Sequence, residues 1–202
     1  MDLNTSTIPA VIGAAFGGGF YAGRINVDGV AFALIVSPRA FGEFKGRWSV
    51  NDGSVPGAQH YSDGMANTEA MAGAGSELAA LVLRLKIGNL ADWYIPSRDE
   101  LEVVYRHFKP TGYENYADGM DGVNAHSVPP GVAYGDFVPS LTEIEGFQDG
   151  GTNALDDDWY WSSTQYAPYP SYAWGQYFGN GNQLNDSTSC AGRARAVRRL
   201  KI

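Results

Sequence analysis

Three observations predict an α+β fold. An apolar hairpin lies near the N-terminus, two helical stripes follow it, and strand-like segments gather after residue 158. Helices and strands are therefore segregated rather than alternating, which disfavours the βαβ units of a parallel sheet.

The hairpin comes first. Phe20–Ile25 and Val30–Val36 are rich in β-formers and flank Asn26-Val27-Asp28-Gly29. Asp-Gly supplies the positive φ angles that a tight hairpin turn requires. Ser37-Pro38 ends the second strand, because proline cannot donate to a ladder. Residues 40–66 carry Gly42, Gly46, Gly53, Pro56, Gly57 and Gly64 and read as loop, with Trp48 anchoring the stretch in a core. Helical spacing starts near Asn67, a candidate N-cap. It firms over Ser76–Lys86, where Leu78, Leu81, Val82 and Leu85 fall on one face, and Gly88 suits its end. Ser97-Arg98-Asp99-Glu100 has capping-box spacing and opens a second helix with Leu101, Val104, Tyr105 and Phe108 as its stripe. Pro110 and Gly112 stop it. Residues 111–158 are punctuated by Asn, Asp, Gly and Pro, and so long an irregular stretch implies function or self-packing. Trp159–Ser163 reads as a core strand, Tyr172–Phe178 as a strand with one wet face, Gly179–Asn182 as a turn, and Ala194–Leu200 as the closing strand. Residues 1–19 are read as an N-terminal arm, with a first strand and loop as the plainer alternative, and residues 20–202 as one domain.

Composition narrows the function. The 202 residues carry 14 basic and 22 acidic side chains, a net charge of −8 that opposes binding to nucleic acid or anionic membrane. The apolar run Ile8–Gly23 has no basic residue before Arg24 and is broken by Gly17-Gly18-Gly19. Neither a signal peptide nor membrane insertion is expected, and assembly in a cytoplasm is. The single Cys190 allows no internal disulfide and reads as an unreactive thiol. No phosphate-binding loop, HExxH pair or GxSxG elbow is present, and no cofactor is expected. Asp156-Asp157-Asp158 reads as a solvated turn, with a calcium site or a glycosidase-type carboxylate pair as alternatives. Arg193, Arg195, Arg198, Arg199 and Lys201 are expected to pair with carboxylates of the acidic body or of a neighbouring subunit.

The stretch Tyr166–Asp186 interleaves aromatics with amides. Tyr and Trp give contact area at low entropic cost, and Asn and Gln give adaptable hydrogen bonds. The candidate ligand-binding residues are Tyr166, Tyr169, Tyr172, Gln176, Asn180, Asn182, Gln183 and Asn185. Trp174 and Phe178 are assigned to the core. Core strands joined by Asn/Gly turns would give the same composition.

Four motifs occur in order. They are Ser62-Asp63-Gly64-Met65-Ala66-Asn67-Thr68, Asp92-Trp93-Tyr94-Ile95-Pro96-Ser97-Arg98-Asp99-Glu100-Leu101, Tyr160-Trp161-Ser162-Ser163-Thr164 and Arg195-Ala196-Val197-Arg198-Arg199. Together they resemble the Lcl C-terminal type domain, a domain of unknown function found in bacterial surface proteins and in tailed-phage structural proteins. The family is similar to the C-type-lectin-like fold. The resemblance spans about Phe20–Leu200 and implies a small twisted antiparallel sheet, two helices and long loops that build one face. It places the ligand face at Tyr166–Asp186. The cysteine pair of the related oxidases and the calcium-binding tripeptides of true lectins are missing. The expectation is a non-enzymatic virion protein of the tail tip, baseplate or fibre that recognises a host-surface glycan or protein. It would be multicopy or a homo-oligomer, with its arm docked on other virion proteins. A capsid or tail decoration protein is the alternative, and a polysaccharide-cleaving enzyme the weaker one.

Overall fold

The computed structural model describes residues 8–202 and has a mixed α+β architecture of two largely antiparallel sheets. The first sheet has the order β1-β2-β3-β9, from Ala15–Phe16, Gly19–Val27, Val30–Val36 and Val197–Lys201. The second has the order β4-β8-β5-β6-β7, from Glu43–Arg47, Ala191–Arg195, Trp159–Gln165, Tyr172–Tyr177 and Gln183–Ser187. Its one parallel contact is the lone Tyr160–Arg193 pair between β5 and β8. The helices are α1 (Arg39–Gly42), α2 (Gly64–Gly73), α3 (Glu77–Leu83) and α4 (Arg98–Phe108). Among the described residues, no helix is long and apolar enough to cross a membrane.

The hairpin turns where Asp-Gly placed it, with φ of 50° at Asp28 and 82° at Gly29. Trp48 is fully buried, and its Nε1 donates to the Ser162 carbonyl at 2.9 Å. The capping box of α4 is complete: Ser97 Oγ accepts from the Glu100 N–H, and Glu100 Oε2 accepts from the Ser97 N–H at 2.8 Å.

Several boundaries differ from expectation. The first predicted helix starts at Gly64 on the cap Asp63, not at Asn67. Asn67 is instead buried and clamps both backbone groups of His60. Helix α3 stops at Leu83, before Gly88. The presumed loop 40–66 contains α1 and β4, whose sequence Glu-Phe-Lys-Gly-Arg has little β signature of its own. The expected closing strand is two strands in two sheets. Ala196 sits at the break, accepting from the Ser37 N–H and donating to the Gly42 carbonyl. Because β3 pairs with β9 and β4 with β8, these segments form one antiparallel ribbon that bends from sheet to sheet at Ser37–Gly42 and Ala196.

Residues 8–19 of the presumed arm lie on the body. β1 pairs with β2, and Arg198 donates to the Gly17 carbonyl at 2.8 Å. Met1–Thr7 lie outside the described residues. The stretch 111–158 is irregular apart from a short 3-10 turn at Glu145–Phe147, and it packs on itself and on α4.

Candidate ligand-binding face

The sequence motifs are largely bracing. Asp92 takes a two-pronged ion pair from Arg198 at 2.8 Å, while the Arg198 guanidinium also lies over Trp93. Glu100 is fully buried and accepts from Tyr94 Oη at 2.6 Å as well as from the Gly64 and Ser97 N–H groups. Burial pushes its carboxyl above the ordinary range, against those hydrogen bonds and the Arg199 charge. Arg195, itself buried, binds Glu43 and the carbonyls of Asn153 and Ala154. Arg199 pairs with Asp63 at 2.9 Å. The C-terminal arginines thus neutralise carboxylates of the body, as their spacing suggested. Asp156 and Asp158 are held by Arg39 and Arg193. Among the described residues, no group of three or more His, Cys, Asp or Glu is arranged to hold a metal ion.

The open chemistry lies beside the N-terminus of α4. Capping by Ser97 directs the next residue, Arg98, outward over β6. Its guanidinium carbon sits 5.0 Å from the Trp174 ring centre and 5.4 Å from that of Tyr61. Arg98 is tied to Asp99 at 2.9 Å and to Gln183 Oε1 at 3.1 Å. Asp99 is braced from its other oxygen by His126 Nδ1 at 2.6 Å. A chain of rings continues from this point. Tyr61 meets Trp174 at 6.4 Å, Tyr166 meets Trp174 edge-on at 5.4 Å, Tyr166 stacks on Tyr169 at 6.0 Å, and Tyr169 meets Tyr172 at 6.4 Å. Tyr61, Tyr169 and Tyr172 are exposed.

A cleft of about 510 Å³ separates this platform from the loop Asp118–Val123. The loop is shaped by Asp118, whose Oδ1 accepts from the Met120 and Asp121 N–H groups, and those bonds lower its carboxyl. Gln183 joins the two walls: its N–H donates to Asp121 Oδ2 at 2.9 Å, and its Oε1 accepts from the Gly122 N–H at 3.1 Å. Burial raises the Asp121 carboxyl to about 6. Trp174 Nε1 and Arg98 Nε are buried donors with no partner among the described residues. Exposed Met120 and Val123 form the apolar rim. The cleft can stack a ligand face on aromatic rings and accept from it at Asp121.

The structure sorts the eight candidates chosen from sequence. Tyr166, Tyr169, Tyr172 and Gln183 belong to this face, and Asn185 joins it as the cross-strand partner of Trp174. Gln176 does not. It is buried, and its Nε2 donates to Tyr134 Oη and the Gly181 carbonyl, which makes it a core residue closed to an external ligand. Asn180 and Asn182 sit in a turn against the long loop, with the Asn180 carbonyl accepting from the Tyr116 N–H and its Oδ1 from the Asn182 N–H. Trp174 is half-buried at the cleft rather than in the core, whereas Phe178 is fully buried as expected. Tyr61, Arg98, Asp118, Met120, Asp121 and Val123 were missed. Only Arg98 carried a signal, since it stands inside the capping-box motif that opens α4.

No curated protein matches the chain. The family model described as the Lcl C-terminal domain matches residues 47–198, a span holding the first three motifs, the fourth as far as Arg198, and both walls of the cleft. The chain belongs to the Lcl C-terminal domain family.

Proposed function

We propose that the chain is a non-enzymatic virion protein of a tailed phage, placed at a tail tip, baseplate or fibre, and that its aromatic face contacts a receptor on the host surface. The finer fold we assign is C-type-lectin-like. One observation carries the reading: exposed Tyr61, Tyr169 and Tyr172 run continuously through Tyr166 and Trp174 into a cleft rimmed by Met120 and Val123. Such a face suits shape and hydrogen-bond complementarity, and many copies on one particle would multiply weak contacts. The N-terminal segment would attach the domain to its virion neighbours. A capsid or tail decoration protein is the second reading, favoured by the dense bracing of Arg195, Arg198 and Arg199. Particles carrying Tyr61→Ala with Tyr169→Ala should lose adsorption to host cells and keep their heat resistance. Normal adsorption with fragile particles would support decoration instead. Release of fragments from host envelope glycans would overturn the non-enzymatic assignment.

A further inference from the structure

A second face lies at the C-terminal end of α4 and shares no residue with the Tyr61–Trp174 cleft. Two grooves of about 630 and 500 Å³ adjoin there, with Ile12, Arg106 and His107 common to both. Val11, Val128, Val132, Phe137, Val138 and Leu141 line them, and all six are exposed. Val132 is 72% accessible, Val11 68%, Val138 64% and Phe137 57%. Single apolar residues at a surface need no explanation, but a set bordering two joined grooves marks an interaction surface.

The two halves of this face differ in charge and shape. No carboxylate lines the first groove among the described residues, and its cations are Arg24 and Arg106. Arg106 is used within the fold, on Glu102 and on the carbonyls of Gly122 and Val132. Exposed Arg24 is therefore the cation that the groove offers to a partner. The second half carries a knob. Gly135 and Val138 exchange both backbone hydrogen bonds at 3.0 Å, which closes a tight turn with Asp136 and Phe137 at its tip. The base of the turn is fixed, because Asn115 donates from its N–H to the Asp136 carbonyl and from Nδ2 to the Gly135 carbonyl. Asp136 and Phe137 are both exposed, so the tip does not fill a groove of its own chain.

The knob offers an acid beside an aromatic ring, and the first groove offers a cation among apolar walls. Each is the complement of the other. We propose that this face binds a second copy of the chain, each Asp136-Phe137 tip seated in the partner's first groove with Asp136 against Arg24. The shared residues Ile12, Arg106 and His107 lie between knob and groove, so a two-fold axis passing there satisfies both knobs at once and closes the assembly as a dimer. The prebuilt turn lowers the ordering cost of the contact.

Sedimentation velocity of the full chain over a concentration series tests this, with near-UV circular dichroism as the check of fold. The chain should sediment as a reversible dimer. Phe137→Ser removes two rings per dimer and should raise the dissociation constant about a hundredfold. Arg24→Glu and Asp136→Arg should each raise it at least about tenfold, and the chain carrying both should recover to within about threefold of the unaltered one. These two reversals sit on exposed side chains and decide the matter should Phe137→Ser fail to fold. A monomer up to about 1 mM would leave the groove to a different protein and overturn the proposal. A dimer that Phe137→Ser and Arg24→Glu leave unchanged would place the contact elsewhere and also overturn it. So would a trimer or an open series of larger species, or a folded double variant that stays monomeric. None of these outcomes touches the receptor reading, which rests on other residues.

Discussion

Glu100→Ala tests whether the shared motifs act as bracing. Glu100 accepts from three donors: the Ser97 N–H at 2.8 Å, the Gly64 N–H at 3.1 Å and Tyr94 Oη at 2.6 Å. All lie in fully or nearly fully buried surroundings, so truncation leaves donors that water reaches poorly. Each orphaned donor costs about 1–3 kcal/mol. Against this stands the relief of removing a buried carboxylate, which is itself unfavourable, as its raised pKa indicates. Breaking one partner of a buried charged network costs about 3–5 kcal/mol, and we expect about 4 kcal/mol here. With a urea slope of about 2.5 kcal/mol per molar, the midpoint should fall by about 1.5 M. Urea unfolding followed by tryptophan fluorescence measures it. Glu69→Ala, on the exposed side of α2, is the control and should shift stability by less than about 0.5 kcal/mol. A loss below about 1 kcal/mol for Glu100→Ala would mean that the donors find new partners and that the bracing argument is wrong.

Two further outcomes follow from single positions. Asp121 has a folded pKa of about 6 against an ordinary 3.8, so the folded state holds its proton more tightly and loses relative stability as pH rises through that window. The gap sets a ceiling of about 3 kcal/mol, and solvent at the cleft mouth should reduce the observed effect to about 1 kcal/mol. The thermal midpoint of the unaltered chain should therefore drop relative to Asp121→Asn between about pH 4 and pH 7, and parallel pH profiles would contradict the assignment. Gly181→Ala should destabilise by about 2–3 kcal/mol, because Gly181 has φ of 82° and its new methyl would lie 2.5 Å from the Tyr105 ring. Calorimetry showing a change within about 0.5 kcal/mol would rule that clash out.

Local chemistry was readable wherever one residue type solves one backbone problem. Asp28-Gly29 and Ser97/Glu100 are such cases, and both appear as expected. Long-range partition was not readable. The segment from residue 191 to the C-terminus keeps strand character throughout, and nothing in its alternation marks Ala196 as a change of sheet, because that is decided by pairing with β3 and β4. The candidate face was half legible for the same reason. Tyr166, Tyr169 and Gln183 stood out by composition, but the facing wall comes from Asp118–Val123, inside an aperiodic stretch that declares no partner. Gln176 shows the converse error. An amide in a wet-looking strand was assigned to solvent, while the fold used it to satisfy Tyr134.

The ribbon that bends at Ala196 has a consequence for how the molecule comes apart. Peeling β9 from the first sheet pulls directly on β8 in the second, since one residue separates them. The same holds for β3 and β4 through the short α1. Neither layer has a seam along which it can open alone. Hydrogen exchange at Leu34 and at Ala194 should therefore report a common opening free energy, as in a garment sewn with a single thread.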